Sequence, residues 1–198
     1  SGRYMANRGL LGSGEYRFLG ETRTGGYSGI ARGEFIPDDS KFGSSRYGWS
    51  YEHNQNIYYW DTDLFLNTDI GYVSDTAYLD DLSDNLQVSS ASHIPQIVNL
   101  SIDPFDIFVE DENLQINADI SAYQTLDSSV SSDDEPYTRL PGVKATWNKT
   151  YELNLDDSGG YLRDDSTRFS LRPEFDSELV NFNHSVANKT KGRRLDLQ

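Results

Sequence analysis

The stretch WDTDLFLNTDIGY, residues 60–72, decides the reading of this chain. Taken two by two, it yields two surfaces. Thr62, Leu64, Leu66, Thr68, Ile70 and Tyr72 share one, and Asp61, Asp63, Asn67 and Asp69 share the other. A period of two marks a β-strand, because successive side chains point to opposite faces. A half-buried soluble strand alternates in the same way, so length and ends carry the distinction. The run exceeds the ~5–6 residues of an ordinary soluble strand. An aromatic residue stands at each end, as at the two interfaces of a membrane barrel strand of ~10 residues.

The same rhythm extends in both directions. Upstream, Leu10, Gly12, Gly14, Tyr16 and Phe18 alternate with Leu11, Ser13, Glu15 and Arg17. After a polar turn at 20–26, Tyr27, Gly29, Ala31, Gly33 and Phe35 alternate with Ser28, Arg32 and Glu34, with Ile30 out of phase. Glycine is unfavourable inside soluble strands and marks bends or close approach; here it lies between aromatics on the apolar face. Residues 46–53 place Tyr47, Trp49 and Tyr51 together, and 54–59 read as a tight connection into the organising strand.

Downstream, residues 87–103 carry Val98, Leu100 and Ile102, and 114–122 alternate Leu114, Ile116, Ala118, Ile120 and Ala122 with Gln115, Asn117, Asp119 and Ser121. Val143, Ala145 and Trp147 follow, then Phe169, Leu171 and Phe175. A slip around Pro173 predicts a bulge, after which Val180, Phe182, His184 and Val186 carry the apolar face. The pattern predicts about eight strands and no helix. Connections at 20–26 and 54–59 are short, whereas 73–85 and 125–135 are long and acidic. Short turns at one end and long loops at the other suit an outer-membrane barrel; the connection at 156–165 is longer than that scheme expects.

Composition narrows the class. With 36% hydrophobic residues in 198, no run reaches the ~18 apolar residues of a membrane-spanning helix. Aromatics at 13% and regular patterning exclude a disordered chain. A net charge of -15 argues against a nucleic-acid partner, since nothing neutralises a phosphate backbone. There is no cysteine for a disulfide or thiolate metal site. The first residues, SGRYMANRGL, show neither an apolar signal core nor a cleavage site, so we expect the chain to begin within a longer protein.

Several blocks then resemble one family in order and spacing: RYMANRGLLGSGEYRFL, GEFIPDD, SYEHNQ, GYVSDTAYLDDL, SSASHIPQ, YQTLD, EPYTRLPGV and GRRLDL. Together they resemble the outer-membrane barrel of the LPS-assembly proteins LptD, also called organic solvent tolerance proteins. The resemblance covers most of the chain and rests on collinearity, not on a catalytic signature. It implies an all-β antiparallel transmembrane β-barrel segment, about eight to nine strands of a barrel of roughly two dozen. Residues 1–198 would be a partial barrel, from the second strand to about the start of the tenth, without the periplasmic jellyroll domain or the closing strands. It further implies a non-enzymatic role in inserting lipopolysaccharide into the outer leaflet of the Gram-negative outer membrane. The implied partners are lipopolysaccharide, a plug lipoprotein of the LptE type, periplasmic lipopolysaccharide-transport components and outer-membrane lipids.

The candidate site is the polar strand face. Glu15, Arg17, Arg32, Glu34, Asp61, Asp63, Asn67, Asp69, Asn117 and Asp119 would line a hydrated lumen, although any water-filled barrel has a polar lining. No cofactor, metal or catalytic motif is expected. His53, His93 and His184 share no ligand spacing and read as wall or interface residues. Residues 156–160, DDSGG, lack the ligand order of an EF-hand. The Asn-X-Ser/Thr sequons at Asn99, Asn148, Asn183 and Asn188 are too short a pattern to carry weight. The acidic runs 75–84 and 127–135 could bridge to lipid phosphates through divalent cations. Two alternatives remain open on the residues alone. One is a complete small barrel, since eight strands suffice to close one; the other is a secreted β-sandwich binding carbohydrate.

Overall fold

The computed structural model describes residues 1–60, 62–82, 92–104, 112–127, 129–155 and 167–198. It contains one antiparallel sheet of ten strands, in the order β1-β2-β3-β4-β5-β6-β7-β8-β11-β12, and a two-stranded sheet, β10-β9. The strands are β1 (Gly2–Met5), β2 (Gly9–Thr22), β3 (Gly25–Asp39), β4 (Ser44–Tyr59), β5 (Thr62–Val73), β6 (His93–Asp103), β7 (Glu112–Thr125), β8 (Thr138–Lys149), β9 (Tyr151–Leu155), β10 (Thr167–Leu171), β11 (Glu174–Asn183) and β12 (Gly192–Leu197). Neighbours in the sheet are neighbours in sequence, save where the β9–β10 hairpin intervenes between β8 and β11.

Register explains why the period of two runs so far. The pairs Tyr16↔Ala31, Ala31↔Tyr51 and Tyr51↔Ile70 place four apolar residues in one row across β2 to β5. Leu66↔Leu100, Leu100↔Ala118, Ala118↔Val143 and Val143↔Leu179 continue such a row to β11. Nothing among the described residues covers this face: Tyr16 is 67% exposed, Trp49 45% and Leu195 61%. Trp49 and Tyr59 lie on it ten residues apart in β4. At ~3.3 Å per residue and a tilt of ~40° they span ~25 Å, the height of a barrel's apolar band. Near one end Phe18 stacks on Tyr51 and His53, with centroids 6.2 and 5.7 Å apart. A Cβ at Gly29 would overlap the Phe18 ring, so that glycine is required by close approach.

Several sequence expectations need correcting. Ten strands form the sheet, not eight, because β1 and β12 add short partners at its two edges. The connection read at 54–59 is strand: Tyr59 pairs with Thr62 across a two-residue turn. Trp60 occupies that turn, at φ 51° and 81% exposed, so it does not begin β5. The segment around Pro173 is a break between β10 and β11. The bulge lies in β8, where Arg139 and Gly142 face Ser121 and Asp119 on one side and Phe182 and Val180 on the other. Pro141 has no N–H for a ladder at that point, and Asn181 Nδ2 donates to the Leu140 carbonyl at 2.7 Å. Within β11 the alternation runs without a slip, so Phe175 and Leu179 share the apolar face, while Val180, 5% exposed, and Phe182 lie on the other.

The acidic connection after β5 contains a helix, α1 (Tyr78–Leu82), that the sequence reading did not anticipate. Five residues with two aspartates in the first turn have no intrinsic stability as a helix. Packing holds it. Tyr78 and Leu82 are buried with Leu11, Ile36, Val73 and Leu126 in a small cluster on the polar side of the sheet. We call residues 74–82 the strap, and the two ends of the sheet the strap end and the hairpin end. Connection lengths do not segregate cleanly. The turns at 6–8 and 40–43 share the strap end with the strap itself, and the β9–β10 hairpin projects from the hairpin end.

Candidate functional site: the polar face and its strap

Nine of the ten candidate residues fall on one face. Glu15↔Arg32, Asn67↔Asn99, Asn99↔Asp119 and Asn117↔Ser101 are direct cross-strand pairs. Arg17, Glu34, Asp63 and Asp69 belong to the same face by register, through Arg17↔Ile30, Ser13↔Glu34, Tyr58↔Asp63 and Glu52↔Asp69. Asp61 lies outside the described residues, as do residues 156–160.

Much of this face is self-paired. Glu15 accepts from Arg17 at 2.6 Å and from Arg32 at 3.0 Å, and Arg32 also reaches Glu52 at 2.6 Å. These side chains are 40–69% exposed, and such pairs contribute ~0–1 kcal/mol each. Further along, Arg139 lies between Asp119 and Glu178, and Arg194 extends the chain through Glu178 to Asp196. Between the two charged ladders lies an amide zone, where Asn67 Nδ2 donates to Asn54 at 2.7 Å and Ser101 Oγ to Asn117 at 2.6 Å.

The strap end is built differently. Arg46 leads β4 on the polar face opposite Ile36, and its side chain is 0% exposed. Its Nε and Nη2 donate to both oxygens of Asp75, at 2.9 and 2.7 Å. Its Nη1 reaches Asp81 at 2.9 Å and Asp39 at 3.3 Å. Arg8, in the β1–β2 turn, donates to Asp39 at 2.8 Å and Asp81 at 2.7 Å. Two arginines and three aspartates thus join three connections. Asp39 also accepts from the Lys41 and Phe42 amides of the β3–β4 turn, and the Phe42 ring covers the guanidinium of Arg46 at 4.4 Å.

Electrostatics follow from this packing. Burial alone would raise the Asp81 carboxyl, but hydrogen bonds from Arg8 and Arg46 hold it below its ordinary value. Burial, with Glu34 beside it, pushes the Tyr78 phenol well above its usual range, so it remains a neutral donor to Glu34 at 3.1 Å. Asp75 and Asp81 are therefore committed to arginine. Asp127 accepts from both the amide and the hydroxyl of Ser129. No group of three or more His, Cys, Asp or Glu among the described residues could hold a metal ion, and residues 83, 84 and 128 of the acidic runs lie outside the described residues.

The histidines are dispersed. His53 joins the aromatic stack on the apolar face. His93 approaches Tyr123 edge-on and bonds Ser92. His184, 2% exposed, is locked between the Val186 amide, which donates to Nδ1, and the Glu135 carbonyl, which accepts from Nε2. Sequence reasoning missed Arg8, Asp39, Arg46 and Tyr78. A signal was present. Leu11, Ile36 and Val73 are apolar residues out of phase on the polar face, all at one end, and they mark what the strap covers.

Comparison with known proteins agrees with this architecture. The family described as LPS transport system D matches residues 44–198. The protein named LPS-assembly protein LptD in Aromatoleum aromaticum is 32% identical over 98% of this chain and 21% of its own length. Those of Nitrosococcus oceani and Methylococcus capsulatus are 30% and 28% identical, over 98% and 99% of this chain and 22% and 16% of theirs. The chain spans about a fifth of these curated relatives. On the strength of the matched family and of a relative aligned over nearly all of its residues, the chain belongs to the LptD family of LPS-assembly proteins.

Proposed function

We propose that this chain is a stretch of barrel wall in an outer-membrane lipopolysaccharide-assembly protein, with the apolar face in the bilayer and the polar face lining the lumen. One observation carries the reading. A ten-stranded antiparallel sheet presents an uncovered apolar face with aromatics at both ends, backed by a face of paired charges and amides. A soluble sandwich needs a second sheet against that apolar face, and the only other sheet among the described residues is the β9–β10 hairpin. A closed small barrel needs β1 paired with β12, and these are the two free edges.

On this reading Glu15, Arg17, Arg32, Glu34, Asp63, Asn67, Asp69, Asn117 and Asp119 contact water and the saccharide part of lipopolysaccharide. Residues 1–198 form part of a larger barrel that works with a plug lipoprotein of the LptE type and periplasmic transport components. The role is transport and insertion, with no bond made or broken.

Adjacent positions in β7 test the assignment. Spin labels at Ala118→Cys and Asn117→Cys, in the complete protein in liposomes, report collision with oxygen and with a water-soluble nickel chelate. Label 118 should favour oxygen and label 117 the chelate. Equal chelate access at both positions sinks the proposal.

A further inference from the structure

We propose that the strap is a latched closure of the polar face, and that Arg46 is its latch. The inference rests on reading that face as a lumen. It concerns a different question, namely what holds the lumen narrow at the strap end.

The strap leaves β5 at Val73 and turns back over the polar side of the sheet. Its start is tied to β4 by the Ser74 amide, which donates to the Tyr47 carbonyl at 2.8 Å. Beyond that point, among the described residues, side chains fix it. Tyr78 and Leu82 fill the recess above Leu11, Ile36 and Val73. Tyr78 donates to Glu34, and Arg3 Nη2 donates to the Leu82 carbonyl at 3.4 Å. Asp75 and Asp81 bind Arg46, and Asp81 also binds Arg8. The floor beneath is Gly48, where a Cβ would approach the Tyr78 ring to 3.0 Å. Lifting the strap therefore opens a recess floored by Gly48 and walled by Leu11, Ile36 and Val73.

The chemistry of the latch differs from that of a packed lid. Apolar contact alone holds an element shut in any ionic surroundings. Here three aspartates are shared between two arginines, and removal of Arg46 leaves Asp75 without an arginine and the fully buried Asp39 with Arg8 alone. The closed state thus depends on charge as well as on fit. The elements joined are the β1–β2 turn, the β3–β4 turn and the strap, so the latch spans the width of β1 to β5 at this end.

The test uses the complete outer-membrane protein carrying this chain, with Leu82→Cys as reporter and two readouts, maleimide labelling and conductance in planar bilayers. Arg46→Gln and the double variant Asp75→Asn/Asp81→Asn break the latch in opposite ways. Gly48→Val leaves every charge in place and drives a branched side chain into the Tyr78 ring. All three should raise the labelling rate about tenfold, as local opening becomes more populated, and should increase conductance. Unchanged labelling in both latch variants overturns the proposal. So does faster labelling with unchanged conductance, which would show a strap that moves without closing anything. Failure of the barrel reading looks different, since label 118 would then meet the water-soluble chelate.

Discussion

The two ends of the polar face solve one problem in opposite ways. At the strap end, charges are buried: Arg46 and Asp39 are 0% exposed, and a second layer of chain lies over them. Across the open part, Glu15, Arg32 and Glu52 pair at similar distances while remaining 40–48% exposed. Similar geometry does not mean similar energetics. An exposed pair exchanges water for a partner at little net gain, whereas a buried one makes each member necessary to the others. The first region should behave as a unit, and the second as a set of separable contacts.

Substitutions can break that contrast. Arg46→Ala should have the largest effect, about 3–5 kcal/mol, because it leaves Asp75 without an arginine and the fully buried Asp39 with Arg8 alone; amide hydrogen exchange across residues 74–82 in the complete protein measures it. Ile36→Ala removes a side chain that is 0% exposed beneath the strap, and should cost about 2–5 kcal/mol in the same segment. Acidification sharpens the comparison by a smaller amount. Asp81 is held below its ordinary value against burial, so its contribution is complete above the unfolded carboxylate value of ~3.9. That contribution is lost as pH falls through the lower folded value. Protection of the strap amides, with exchange referred to the unprotected rate at each pH, should fall below about pH 4, and constant protection down to about pH 2 would refute the assignment. Arg32→Gln should have the least effect, under about 1 kcal/mol. A change in thermal unfolding as large as that of Arg46→Ala would erase the distinction between the regions.

The sequence announced the two faces well and the strap poorly. Period two is a local property, readable from residues such as Leu114, Ile116 and Ala118 without knowing their partners, and register then extends it across strands. Nine of the candidate polar residues share a face for that reason. The bond between Arg46 and Asp75 joins positions 29 apart in the chain, and no repeat encodes that spacing. Arg46 read as the edge of an alternating run, and YLDDL as part of an acidic loop, because neither reveals its burial locally. Pro173 read as a slip within one strand, but it stands between β10 and β11, so β11 keeps one phase and Val180 and Phe182 lie on the face opposite that expected.

The latch has one more consequence, for assembly. It is complete only when the ends of β2, β3, β4 and β5 stand in correct register, since Asp39 ends β3, Arg46 lies near the start of β4, and Arg8, Asp75 and Asp81 come from the connections before β2 and after β5. A slip of one residue in β4 would send Arg46 to the apolar face and Trp49 to the polar face. Hydrogen bonding along the ladder would barely notice such an error, but a buried arginine without its three carboxylates would. The cluster therefore ties the burial of Arg46 to the alignment of five neighbouring strands.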